Sequence, residues 1–206
     1  MKTIDYSKHA LLQTKITLLR DKKTPYALFA RTMNEISTIL CALISADLAV
    51  QKTSVQTPLM KAAGTRLRKP IVLVPILRAG LGLLEGFRQL IPEASVGHVG
   101  VERDHVSLRP RFYYYKTPPL KDAEVWVLDP MLATGGSLDF TLGKLKEHKP
   151  AMIRAISVLA APEGLRHVEK AHSDVQIYAA VIDSRLNNKG YILPGLGDAG
   201  DRYFNS

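Results

Sequence analysis

Asp129 and the residues after it carry the densest chemistry in the chain. The segment VWVLDPMLATGGSLDFTLGKL, residues 125–145, reads as an apolar strand, then a loop, then a helix. A carboxylate at the carboxyl end of a buried strand sits where open α/β sheets take their ligands, and Asp129 there can accept hydrogen bonds from a pair of sugar hydroxyls. A few residues on, Thr134, Gly135, Gly136 and Ser137 lead into the helix. The glycines leave backbone amides open to an anion, and the helix start adds partial positive charge. Thr134 and Ser137 add hydroxyl donors. A ribose at Asp129 with its phosphate over 134–137 suits this spacing. Taken apart, Gly-Gly-Ser is ordinary helix capping and Asp-Pro an ordinary turn. The string is not a Walker loop, because no Gly-Lys-Ser/Thr follows, and not the Rossmann G-x-G-x-x-G.

A second loop follows the apolar run in IVLVPILRAGLGLLEG, residues 71–86. Arg78, Ala79 and Gly80 there can offer a guanidinium and backbone amides to a diphosphate; the plain alternative is an exposed arginine beside a helix cap. The third segment is the tail GYILPGLGDAGDRYF, residues 190–204, whose glycines allow a tight irregular backbone suited to reading a flat base by main-chain groups.

These loops need a rigid frame. Residues 7–20 and 25–50 show apolar positions at helical spacing. Beyond a polar stretch at 51–57, apolar runs at 71–76, 96–101, 125–128, 153–159 and 175–182 alternate with helical patterns near 81–90, 137–148 and 163–171. Strands apolar on nearly every residue are buried on both faces, so the chain is expected to be α/β, a mainly parallel central sheet flanked by helices. Two segments break the alternation: 103–119, expected as a protruding arm with Tyr113, Tyr114 and Tyr115, and the tail from 183 to 206.

With 206 residues, 46% of them hydrophobic, the chain is expected to close one domain over 1–206: N-terminal helices at 7–50, a core at 70–182 and the tail at 183–206. One cysteine, Cys41, rules out a disulfide framework or a cysteine metal site. No run approaches the ~20 apolar residues of a membrane span and the N-terminus does not read as a signal peptide, so a cytoplasmic, membrane-free protein is expected. A formal charge of +9 favours polyanionic partners without choosing among them. Histidines 9, 98, 105, 148, 167 and 172 lack the spacing of a helical metal site and are read as surface or core residues, with no protein metal site expected.

The string DPMLATGGS, the loop PILRAGLG and the tail motif stand in the order found in uracil phosphoribosyltransferases, and the chain resembles that family over almost its whole length. The resemblance implies transfer of the phosphoribosyl group of phosphoribosyl pyrophosphate (PRPP) to N1 of uracil, giving UMP and pyrophosphate. It implies PRPP contacts from Arg78, Arg103, Asp129, Pro130, Met131, Leu132, Ala133, Thr134, Gly135, Gly136, Ser137 and Asp198. Uracil contacts would come from Ile192, Gly197, Asp198 and Ala199, which form a hood over the base. Asp198, Arg78 and Asp129 form the implied catalytic set. Asp198 is the candidate to take the N1 proton, and a hood of main-chain groups stabilising a uracil anion is the alternative. Mg2+ is the implied cofactor, bound with PRPP and keeping several waters. A homodimer or larger homo-oligomer and a GTP effector are implied as well.

The segment Glu102, Arg103, Asp104, His105, Val106, Ser107, Leu108, Arg109 and Pro110 departs from the family's pattern: Glu102 stands for the usual tyrosine before the arginine aligned with Arg103, His105 and Val106 stand for acids, and Arg109 reverses a charge. Ala42 and Leu43 depart as well, and these changes bear on the arm, its dimer contacts and nucleotide regulation. Two competing expectations are an RNA-binding pyrimidine regulator on the same fold, disfavoured by the intact tail motif, and a phosphoribosyltransferase for another base.

Overall fold

The computed structural model describes residues 3–103 and 110–206, with Arg103 and Pro110 by backbone alone. The chain begins with the short strand β1 (Ile4–Asp5) and the helices α1 (Ala10–Arg20) and α2 (Tyr26–Ile44). His9 caps α1, its ring accepting from the Leu12 backbone N–H at 3.3 Å. A hairpin follows, β2 (Val50–Gln56) against β3 (Lys61–Leu67). The alternation then runs β4 (Ile71–Leu77), α3 (Leu81–Leu90), β5 (Ser95–Val96), β6 (His98–Arg103) and β7 (Pro110–Lys116). It continues through β8 (Glu124–Leu128), β9 (Met131–Leu132), α4 (Gly136–Lys146), β10 (Met152–Ala160), α5 (Pro162–Ala171) and β11 (Gln176–Ile182). The tail holds β12 (Arg185–Leu186), β13 (Ile192–Leu193) and α6 (Ala199–Phe204).

The main sheet runs β1-β11-β10-β8-β4-β6-β7. Every neighbouring pair along it is parallel except β6 with the edge strand β7. Alternate residues of each central strand feed opposite cores. Leu73, Trp126, Leu128 and Ile156 pack with Phe29, Met33 and Leu83 from α2 and α3 on one face. Val72, Val74, Val127 and Ala155 pack with Leu138, Leu142 and Val168 from α4 and α5 on the other. This is why the strands read as continuous apolar runs. The chain leaves β4 toward β6 on one side, and β8 then pairs with β4 on the other, so the strand order reverses between β4 and β8.

Three sequence expectations change. The polar stretch after α2 is a strand: residues 50–67 form a two-stranded ribbon paired outside the main sheet, with Leu59 and Met60 exposed at its turn. Its strands alternate intermediate and exposed residues and bury neither face, so they lack the apolar runs that marked the others. The arm expected over 103–119 is, from 110 to 116, the antiparallel edge of the main sheet, with Phe112 and Tyr115 packed against the core; the departures at 104–109 lie outside the described residues. Residues 26–47 are long and apolar enough to cross a membrane, contrary to the expectation, but α2 spends that apolarity on the core, burying Phe29, Met33, Ile36, Leu40, Cys41 and Ile44.

At the end of the sheet where β8 and β10 begin, Arg154 is 3% exposed. It donates to Asp47 at 2.7 Å, the Ile44 carbonyl at 3.0 Å and the Tyr178 hydroxyl at 2.8 Å, and lies 3.5 Å from Glu124. Asp47 is exposed, but removing Arg154 would leave the buried Glu124 carboxylate without its cation and the buried Tyr178 hydroxyl without its donor. Arg154→Ala should lower the unfolding free energy by about 3–5 kcal/mol, read from a denaturant titration followed by circular dichroism.

Candidate active site

The reversal between β4 and β8 opens a crevice at their carboxyl ends, where ligands bind in open α/β sheets. The crevice holds a cavity of about 210 Å³ lined by Ile76–Ala79 from one loop and by Asp129 and 131–138 from the other, with Val101 beside them. Gly80 lets the first loop close down: a Cβ there would lie 2.4 Å from the Leu128 carbonyl oxygen and 2.6 Å from the Ile76 backbone. Gly135, at φ +87°, makes the left-handed turn that admits the chain into α4. Thr134 and Ser137 are exposed, so their hydroxyls are open to a ligand at the helix start.

Asp129 is partly exposed where it lines this cavity. Enclosure by protein pushes its carboxyl up to about 7, opposed by a hydrogen bond from the Met131 backbone. A carboxylate in that position gains from any ligand bringing hydroxyl donors or positive charge.

A second cavity of about 200 Å³ adjoins the first, since Ala79, Met131 and Ala133 line both. Its other walls are Gly190–Ile192 and Gly197–Gly200. The tail is fixed in place by α1. Arg20 grips Asp183 through two hydrogen bonds, at 2.5 and 2.9 Å, and also donates to the Gly195 carbonyl, while Asp183 accepts from the Gly195 backbone N–H at 2.9 Å. Arg202 donates to the carbonyls of Leu19, Leu196 and Asp21 and stacks on Phe29, its guanidinium carbon 4.4 Å from the ring centre.

Of the residues expected in the site, Arg78, Asp129, Met131, Leu132, Ala133, Thr134, Gly135, Gly136 and Ser137 share the first cavity. Ile192, Gly197, Asp198 and Ala199 share the second. Pro130 lies beneath them, buried, its carbonyl accepting from Val158 and Leu159 at 3.0 Å. Asp198 borders only the second cavity and caps α6, accepting from the Asp201 backbone N–H at 2.9 Å. Arg103 ends β6, and its side chain lies outside the described residues.

α6 itself was not expected. Its single turn and a half follows a glycine run, too short for a periodic pattern to show. Arg78 meets this helix: it donates to Asp201 at 2.8 Å and lies over the Phe204 ring.

Elsewhere, His167 and His172 both bond Asp139, at 2.9 and 2.8 Å. Burial acts to raise the Asp139 carboxyl, but the hydrogen bonds and charge of the two imidazoles outweigh it and hold it below its ordinary value. Among the described residues no group of three His, Cys, Asp or Glu side chains could hold a metal. Cys41 is buried and its thiol is pushed up to about 12 by burial, which leaves it inert.

Residues 6–206 match the family model described as uracil phosphoribosyltransferase. A uracil phosphoribosyltransferase of Finegoldia magna is 46% identical, covering 95% of each chain. One from Sinorhizobium fredii is 50% identical at the same coverage. The structure of the AQ2163 protein from Aquifex aeolicus superposes with a TM-score of 0.94 over 98% of each chain at 38% identity. A hypoxanthine phosphoribosyltransferase of Staphylococcus aureus, at 15% identity and a TM-score of 0.51 over 77% of this chain and 75% of its own, shares the fold.

The raised Asp129 carboxyl has a consequence for stability. Between its ordinary value of 3.8 and about 7, the folded chain holds a proton there that the unfolded chain gives up. Its contribution is therefore fully present below about pH 4 and is lost as pH rises through about 7. Asp129→Asn removes the titration. Without ligand, this variant should gain about 1–2 kcal/mol over the parent at pH 8, with the gap closing toward pH 5, as read from paired thermal melts.

Proposed function

The chain belongs to the uracil phosphoribosyltransferase family, and we propose that it transfers the phosphoribosyl group of PRPP to N1 of uracil, giving UMP and pyrophosphate. The observation that carries the proposal is the pair of adjoining cavities: a helix start suited to an anion with a half-buried carboxylate and an arginine in one, and an apolar slot walled by the tail in the other.

In the reaction the bond from the anomeric carbon to the diphosphate oxygen breaks and a bond from N1 to that carbon forms. Positive charge builds on the ribose and negative charge on the diphosphate. Asp129 accepts from the ribose hydroxyls, and the amides and hydroxyls of 134–137 hold the 5-phosphate, which aligns the sugar for attack. Arg78 faces the leaving diphosphate and offsets its charge, with Arg103 assigned to the same side from the family pattern. The backbone around Ile192, Gly197 and Ala199 reads the edge of uracil. Asp198 takes the N1 proton or, if the hood holds uracil as its anion, the proton leaves to solvent.

Mg2+ fits this donor set through Asp129, a carboxylate enclosed at the cavity wall with one backbone donor to its side chain. Asp129 would help hold an ion carried in with PRPP, which would supply positive charge against the departing diphosphate.

The chain is further proposed to work as a single domain, in the cytoplasm, as a homodimer or larger. The exposed Leu59, Met60, Tyr113 and Tyr114 support association. A GTP effector remains an expectation of the family alone. An RNA-binding role or a different base is less favoured, because the tail both retains the family motif and closes the second cavity.

The test is UMP formation from uracil, PRPP and Mg2+, run beside cytosine and hypoxanthine. Uracil alone should turn over, and Asp129→Ala should lower kcat/KM by about a hundredfold or more through loss of ribose alignment. Equal turnover of another base, or full activity in the variant, would refute the assignment.

A further inference from the structure

Arg78 does not stand free over the crevice. Its Nη2 donates to Asp201 Oδ1 at 2.8 Å, its Nη1 reaches Ser206 Oγ at 3.3 Å, and its guanidinium carbon lies 5.9 Å from the centre of the Phe204 ring. All three partners belong to α6 or the two residues after it, and none of them lines the cavity that Arg78 lines. The same helix starts at the other subsite. Asp198 caps it by accepting from the Asp201 backbone N–H, and Asp198, Ala199 and Gly200 line the second cavity. One helix of six residues therefore borders the base slot with its first residues and holds the arginine through Asp201 and Phe204.

We infer that Asp201 is a positioning residue for the diphosphate: it anchors Arg78 in the crevice and, through α6, ties the arginine's placement to the base slot. This rests on the first cavity being the PRPP seat. The chemistry favours anchoring. An arginine side chain loses much rotamer freedom when it must be fixed on a ligand, and a partner that fixes it beforehand removes that cost from binding. Asp201 and Ser206 occupy one N–H each, so the remaining donors of the five stay available to diphosphate oxygens. Both side chains of the ion pair are half exposed, 56% for Arg78 and 53% for Asp201, so the pair is worth little by itself and its loss should have a modest effect on binding. Because the coupling between two subsites is reciprocal, an occupied base slot that steadies α6 should tighten diphosphate binding, and the reverse.

The experiment is a double-variant cycle on Asp201 and Arg78 in the intact chain, reading KM for PRPP and kcat separately. Asp201→Asn should raise KM for PRPP about three- to tenfold while kcat stays within about twofold, in keeping with one exposed ion pair. Asp201→Glu, which keeps the charge, should recover part of the loss. Once Arg78→Ala has raised KM, adding Asp201→Asn should raise it no further, because the aspartate acts through the arginine. Additive effects in the double variant, or an unchanged or lowered KM in Asp201→Asn, would overturn the inference. Failure of the underlying assignment looks different: the parent chain would show no PRPP-dependent turnover, or Arg78→Ala would leave KM for PRPP untouched.

Discussion

Strands β4 and β8 lie side by side and in parallel, Leu73 opposite Trp126 and Pro75 opposite Leu128. Their carboxyl ends thus open at the same level, and the loops leaving them diverge to helices on opposite faces, α3 among one core and α4 among the other. Everything proposed for the chemistry depends on that divergence. It places a backbone-rich loop with Asp129 on one wall and a loop with Arg78 on the other, so a ligand with anionic groups at two ends can bridge them. The strands hold this geometry because both faces of the sheet are packed, which leaves little room for either loop to drift.

The second cavity is built differently. It hangs on side-chain ties across the sequence: Asp183 and Arg202 in the tail to Arg20 and the carbonyls at the end of α1. Asp183 is 7% exposed, and its charge is matched by the Arg20 guanidinium and the Gly195 N–H, so its burial is compensated. The N-terminal helices, far in sequence from the chemistry, therefore set where the tail closes.

Much of the frame was legible in the sequence because doubly buried strands need apolar side chains at every position. The runs at 71–76, 125–128, 153–159 and 175–182 match β4, β8, β10 and β11 to within a residue or two. The loops at Arg78 and Asp129 were legible because glycine spacing marks places where backbone must approach closely, as Gly80 and Gly135 do. The β2–β3 ribbon and the edge strand β7 were not, since an exposed ribbon and a sheet edge need no continuous apolar run. The contact between Arg78 and Asp201 joins residues more than a hundred positions apart, and no local pattern announces such a pair.

The most direct test of the bridged crevice is a crystal structure of the chain with UMP and pyrophosphate. The account predicts the UMP phosphate on the amides of 134–137, its ribose hydroxyls on Asp129, the base against Ile192, Gly197 and Ala199, and the pyrophosphate beside Arg78. A nucleotide bound elsewhere, or in the crevice with its phosphate away from the start of α4, would contradict it.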